Sequence, residues 1–164
     1  MEITVAKNAG FCFGVKRATD SLEERIRKSK SGERIFTLGT LIHNGTYNAM
    51  LEQKGVRVTS IDKIGQIAAS ATADSPVTVF IRAHGIPLED EQLLRRFREQ
   101  NELFDYVDCT CPFVKKIHNI AREHSGEDKI FLLLGAKEHP EVVGIMSCFE
   151  GEKYVFGSAD ELEE

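Results

Sequence analysis

Cysteine and histidine are the residues best suited to chemistry in this chain, and their placement is regular. There are four cysteines, Cys12, Cys109, Cys111 and Cys148, and five histidines. Most of them fall in five short turn-like segments. These are Gly10-Phe11-Cys12-Phe13-Gly14, Ile42-His43-Asn44-Gly45, Ala83-His84-Gly85-Ile86-Pro87, Asp108-Cys109-Thr110-Cys111-Pro112 and Glu138-His139-Pro140-Glu141. A thiolate can ligate a metal or act as a nucleophile, and a helix start lowers the pKa of the thiol that forms it. Imidazole can donate hydrogen bonds to phosphate oxygens, more strongly when protonated.

Each candidate has a plainer reading beside the chemical one. Cys12, between two aromatics that could shelter a thiolate and two glycines that permit a tight turn, is a ligand, a nucleophile or a small buried apolar residue. Cys111 precedes a proline that suits a first helical turn. Cys109, two positions earlier, would point the same way as Cys111 in a strand, so both could bind metal or one could simply pack. Cys148, in an apolar helical stretch, reads as core. His43, His84 and His139 could bind an anion together or be separate surface residues. His118 and His124 lie in and at the end of a helical pattern and read as surface positions. Glu141 is either a proton donor with a raised pKa or an ordinary carboxylate complementing a helix dipole. No Cys-x-x-Cys pair is present, so a zinc ribbon or thioredoxin-type site is not supported.

Short apolar runs alternating with helical patterns must position these residues. Strands are expected at Ile3–Ala6, Arg34–Leu38, Val56–Thr59, Val77–Ile81, Phe104–Val107, Lys129–Leu134 and Tyr154–Phe156. Helices are expected at Val15–Ser29, Asn48–Lys54, Leu88–Gln100, Pro112–Glu123 and Glu141–Cys148, with a loop over Ala68–Ser75. Ser158 followed by Glu161 could form a capping box for a last helix. The alternation predicts α/β architecture with a mostly parallel sheet. Every Cys or His segment then follows a strand and precedes a helix. That is the edge where open α/β sheets bind ligands and where helix N-termini favour phosphate.

Bulk properties narrow the function classes. The chain has 164 residues, 41% hydrophobic and 29% charged, which is enough for one domain or two small ones. Its net charge of −5 argues against a nucleic-acid binder. No signal peptide is visible, and the longest apolar run, Ile130 to Leu134, is too short to span a bilayer. A cytoplasmic location without membrane contact is expected, where cysteines serve as ligands, catalytic thiols or core residues.

The segment Gly10-Phe11-Cys12-Phe13-Gly14-Val15-Lys16-Arg17-Ala18 resembles the N-terminal signature of the 4-hydroxy-3-methylbut-2-enyl diphosphate reductase family, the IspH (LytB) reductases. The resemblance continues in order through Ile42-His43-Asn44, Arg82-Ala83-His84-Gly85-Ile86, Asp108-Cys109-Thr110-Cys111-Pro112 and Glu138-His139-Pro140-Glu141-Val142-Val143-Gly144. It implies three-layer α/β modules in a pseudo-threefold arrangement around a 4Fe–4S cluster held by one cysteine per module. It also implies reductive dehydroxylation of the allylic diphosphate to isopentenyl and dimethylallyl diphosphate in the methylerythritol phosphate pathway. Electrons would come from a ferredoxin or flavodoxin. By position, Cys12 and Cys111 match cluster ligands, His43, His84 and His139 match substrate-binding histidines, and Glu141 matches the acid of the proton relay. Cys109 falls at a variable position.

Two modules are expected, residues 1–110 and 111–164, the strand near residues 2–8 belonging with a third. The family's third ligand cysteine lies beyond the position where this sequence ends, and Cys148 does not match it. On that reading the 164-residue chain is catalytically incompetent by itself. Two alternatives stand beside it. One is a non-enzymatic phosphate-ligand binding module with structural cysteines. The other is an enzyme using Cys12 as a nucleophile paired with one of the histidines.

Overall fold

The computed structural model describes residues 2–7 and 9–163. In chain order its elements are α1 (Phe13–Lys28), β1 (Arg34–Leu38), α2 (Gly45–Gln53), β2 (Arg57–Thr59), α3 (Ile61–Ala69), β3 (Val77–Ile81), α4 (Leu88–Gln100), β4 (Phe104–Asp108), α5 (Pro112–Glu123), β5 (Ile130–Leu134), α6 (Pro140–Ser147), β6 (Glu152–Phe156) and α7 (Ala159–Glu163). Two sheets form, one ordered β2-β1-β3-β4 and the other β5-β6, and all the strand pairs are parallel. The α/β expectation therefore holds.

The first sheet is covered on both faces. Alternate residues of its strands point to opposite sides. Phe36, Leu38, Val77, Val79, Ile81 and Phe104 pack with Ile64 and Ala68 of α3 and Leu94 of α4. Ile35 and Phe80 face the other way and pack with Ala18 and Leu22 of α1 and Leu51 of α2. The result is three layers, helices on either side of a sheet. The direction of strand addition reverses between β1 and β3. Their carboxyl ends flank the crevice where such sheets bind ligands.

The second sheet is thinner. Phe131 and Leu133 on one face of β5 pack with Ala121 of α5 and with Ile145, Cys148 and Phe149 at and beyond the end of α6. Ile130, Leu132 and Leu134 on the other face are exposed.

Three local expectations are corrected. Residues 3–6 form no strand: Ile3 and Val5 are exposed, and no described residue pairs with them. A strand needs a neighbour for its backbone groups, which an apolar pattern alone does not supply. A helix, α3, lies where none was expected; Ile61, Ile64, Ile67 and Ala68 recur at helical spacing, and Ile64 and Ala68 are buried. The cap of α7 is displaced by one residue. Ser158 Oγ accepts from Glu161 N–H at 3.2 Å, but the Glu161 carboxylate accepts from Gly157 N–H at 2.7 Å, not from Ser158.

Candidate active site

Three loops leave the carboxyl edge of the first sheet side by side. Ala83 N–H donates to Leu41 O at 3.2 Å, and Cys111 N–H donates to Ala83 O at 2.9 Å. These bonds continue the sheet ladder past the strand ends. They set His43 after β1, His84 after β3 and Cys111 after β4 in neighbouring positions.

The histidines meet. The His43 and His84 rings stack at 4.1 Å between centroids, with 27° between planes. The His139 ring stands edge-on to both, at 5.9 Å from His43 and 5.7 Å from His84. His43 is exposed and the other two are half-buried. His139 is the N-cap of α6, and its Nδ1 accepts from Glu141 N–H at 3.3 Å. A neutral ring accepting at Nδ1 carries its proton on Nε2 and can donate there. Glu141 is half-buried in the first turn of the same helix. His43 is followed by Asn44, whose side chain caps α2 by accepting from Tyr47 N–H at 2.9 Å.

His84 is the most perturbed of the three. Burial lowers its pKa to about 4, helped by the nearby His43, His139 and Arg82. Its Nδ1 is buried and has no hydrogen-bond partner among the described residues. An unpaired buried polar atom costs about 1–3 kcal/mol, and such atoms concentrate where ligands bind. A bound anion would favour the protonated ring and offer oxygens to the group.

The thiols divide into two kinds. Cys12 is the exposed N-cap of α1, and Cys111 is the half-buried N-cap of α5. The two helix starts are in contact: Gly14 lies against the Cys111 thiol so closely that a Cβ there would collide with Sγ. Gly14 is thus needed for close approach and not for a turn, since it already lies within α1. Gly10, at φ +126°, provides the turn. Phe11 and Phe13 are both exposed, so the expected shelter for the Cys12 thiol does not form within this chain.

Cys109 and Cys148 are buried, one in the core shared by α1 and α2, the other in the core of the second sheet. Burial pushes the Cys109 thiol up to about 11, against smaller lowering effects of Ser21 and Arg17. Cys109 therefore does not point the same way as Cys111. The strand ends at Asp108, and the chain turns between them. Cys148 is core, as expected.

Two contributors to the site were not picked out in the sequence. Arg17 of α1 donates to Thr110 O at 2.5 Å, tying the first helix to the cysteine loop. Lys115 pairs with Asp108, whose Oδ1 accepts from Thr110 N–H at 2.9 Å. Burial alone would raise the Asp108 pKa, but these partners outweigh it and the net shift is downward. Both contacts need the fold to bring distant charges to one loop, so they gave no sequence signal. His118 is a correction: it is buried, while His124 is exposed as expected. Among the described residues, no group of three His, Cys, Asp or Glu could hold a metal ion, and no helix is long and apolar enough to cross a membrane.

Known proteins resemble this chain over nearly its whole length. A reductase of Caldanaerobacter subterraneus acting on 4-hydroxy-3-methylbut-2-enyl diphosphate is 39% identical over 163 residues, covering 99% of this chain and 52% of the relative. The same-named enzyme of Geobacter sulfurreducens is 42% identical over 163 residues, covering 98% of this chain and 51% of the relative. A solved (E)-4-hydroxy-3-methyl-but-2-enyl diphosphate reductase, the terminal enzyme of the non-mevalonate pathway, superposes with TM-score 0.72 at 33% identity, covering 98% of this chain and 52% of that one. A Plasmodium falciparum reductase structure matches with TM-score 0.78 at 22% identity, which shows the shared fold. The chain spans about half the length of the curated relatives it matches. The family model described as LytB protein matches residues 3–164, and the chain belongs to that family.

Proposed function

We propose that this chain is part of a 4-hydroxy-3-methylbut-2-enyl diphosphate reductase of the methylerythritol phosphate pathway, and that it carries the diphosphate-binding histidines and two of the thiolates. The observation that carries this reading is the stack of His43 and His84 on the sheet edge that also bears Cys111, with the His139 ring from the second sheet edge-on to both. In the overall reaction two electrons and two protons replace a C–O bond by C–H and release water, giving isopentenyl or dimethylallyl diphosphate.

The donor set fits an iron–sulfur cluster in part. Cys12 and Cys111 are soft ligands at touching helix starts. They are the two thiols outside the apolar cores. Cys12 and Cys111 would hold a 4Fe–4S cluster together with a third cysteine from outside these 164 residues. When bound, such a cluster supplies electrons and one open iron as a Lewis acid for the hydroxyl oxygen.

The chain's own residues do the rest. His43, His84 and His139 bind the diphosphate through imidazole N–H groups, and the N-terminus of α6 adds positive dipole. The Glu141 N–H to His139 Nδ1 bond orients the His139 ring, and on this reading the Glu141 carboxyl gives a proton at the substrate. The reading treats residues 1–110 and 111–164 as two modules of a threefold arrangement. It also implies a ferredoxin- or flavodoxin-type donor and a cytoplasmic setting consistent with four free cysteines.

One observation favours a narrower role for the chain acting alone. The three histidines of this chain are the groups through which it would bind diphosphate by itself. The cysteine-nucleophile alternative is less well supported, because the three histidine rings pack against one another.

The test is iron and acid-labile sulfide content, with an EPR spectrum, after anaerobic reconstitution of this chain and of Cys111→Ser. Pyrophosphate calorimetry is run alongside. Pyrophosphate binding that His84→Ala weakens about tenfold is the expected result. Cluster in the wild type that is lost in Cys111→Ser supports the ligand assignment. Failure of the wild-type chain to bind pyrophosphate would sink the histidine assignment.

A further inference from the structure

His118 has no role in the reading above, yet it is buried in the joint between the two sheets. It lies midway along α5, with its Nε2 buried and unpartnered among the described residues. Its ring fits between two glycines of different elements. A Cβ on Gly85 would lie 3.0 Å from its Cε1, and a Cβ on Gly144 would lie 3.1 Å from its Nε2. Both spacings are tighter than ordinary van der Waals contact, so neither position admits a side chain without movement of the ring.

These glycines belong to the two halves of the histidine group. Gly85 follows His84 directly and holds φ +77°, a turn conformation that glycine adopts without strain. Gly144 lies on α6, whose N-cap is His139. A second link crosses the same joint. Leu88 N–H at the start of α4 donates to Ser147 Oγ at 2.8 Å, and Ser147 Oγ donates to Gly144 O at 2.7 Å. The His84 loop and α6 are therefore tied at two points, with the His118 ring between them. A leucine could fill apolar space there. The flat imidazole instead lets two backbone segments approach its ring closely, although its Nε2 is buried unpaired.

We propose that His118 is a positioning residue, a flat spacer that docks the His84 loop on α6 and so sets the His84–His139 juxtaposition that binds diphosphate. This rests on the diphosphate reading of the histidine group. His118 itself touches no substrate; it acts through Gly85 and Gly144.

The test uses the 164-residue chain, inorganic pyrophosphate, and the variants Gly144→Ala, His118→Ala and the double substitution. Three quantities are read: the imidazole pKa of His84 by NMR, pyrophosphate Kd, and melting temperature. Either single variant raises the His84 pKa toward the ordinary histidine value, because His84 loses the neighbouring His139. Each also weakens pyrophosphate about tenfold, the size of coupling seen between groups in contact. The double variant is no worse than the worse single, since the added methyl enters the space the ring leaves. Lower melting temperatures with the His84 pKa unmoved and Kd within about twofold would reduce His118 to core packing and overturn the proposal. Where His118→Ala does not fold, Gly144→Ala and His118→Asn decide the question on the same readouts. If the wild type binds no pyrophosphate but the His84 pKa moves in the variants, the diphosphate reading fails and the spacer role stands.

Discussion

Strands β3 and β5 make an instructive pair. The first reads Val-Thr-Val-Phe-Ile and is buried at all five positions. The second reads Ile-Phe-Leu-Leu-Leu, entirely apolar, and exposes three of its five residues. The more hydrophobic strand is the less buried one. Burial follows from what covers a face. β3 has strands on both sides and helices on both faces, whereas β5 has one neighbouring strand and helices on one face. The histidine group spans the two units, with His43 and His84 on the closed one and His139 on the open one.

The sharpest way to break this comparison is by truncation. Phe80→Ala in the closed sheet should cost about 3–5 kcal/mol in urea unfolding, whereas Leu132→Ala on the open face should stay within about 0.5 kcal/mol. Equal losses would mean that the outer face of β5 is covered in solution. Next in size, removing any one imidazole should weaken pyrophosphate about tenfold by calorimetry, and the loss should be as large for His139 as for His43. A loss confined to His43 and His84 would show that the open unit takes no part.

Thiol labelling compares the two cores more finely. Alkylation followed by mass spectrometry should modify Cys12 and Cys111 in the native protein and spare Cys109 and Cys148. As urea is raised below the main transition, Cys148 should react before Cys109, because it lies in the thinner core. Simultaneous exposure would mean that the two units unfold as one.

The smallest effect is in the pH dependence. The folded pKa of His84, about 4, lies below that of a free histidine. Between these values the unfolded chain holds a proton that the folded chain does not, so stability rises with pH across the window. The contribution is full above about 6.5 and is lost as pH falls toward 4. The partial exposure of His84 keeps the effect modest. Pyrophosphate should reverse the trend by favouring the protonated ring, binding more tightly as pH falls through the same window. His84→Ala should abolish both dependences.

Much of this was legible in the chain itself. Glycine, proline and asparagine punctuation placed the start of α5, and apolar runs placed β1 and β3 to the residue. The strand ends then brought His43, His84 and Cys111 to one sheet edge, whereas Cys12 follows no strand and His139 follows β5 of the second sheet. The segment at residues 3–6 misled because alternating apolar residues describe a strand only once a partner exists. His118 misled for a related reason: nothing in a helical pattern marks a polar side chain that two remote glycines will enclose.

The sequence by itself determined the family, the parallel α/β plan and which residues stand at helix starts, because these follow from local order along the chain. Only the tertiary structure decided that His43, His84 and His139 share one cluster, that Cys109 is core while Cys111 is not, and that His118 fills the joint. Those outcomes depend on the distances between segments far apart in the chain, and such distances are fixed by the packing of helices on sheets.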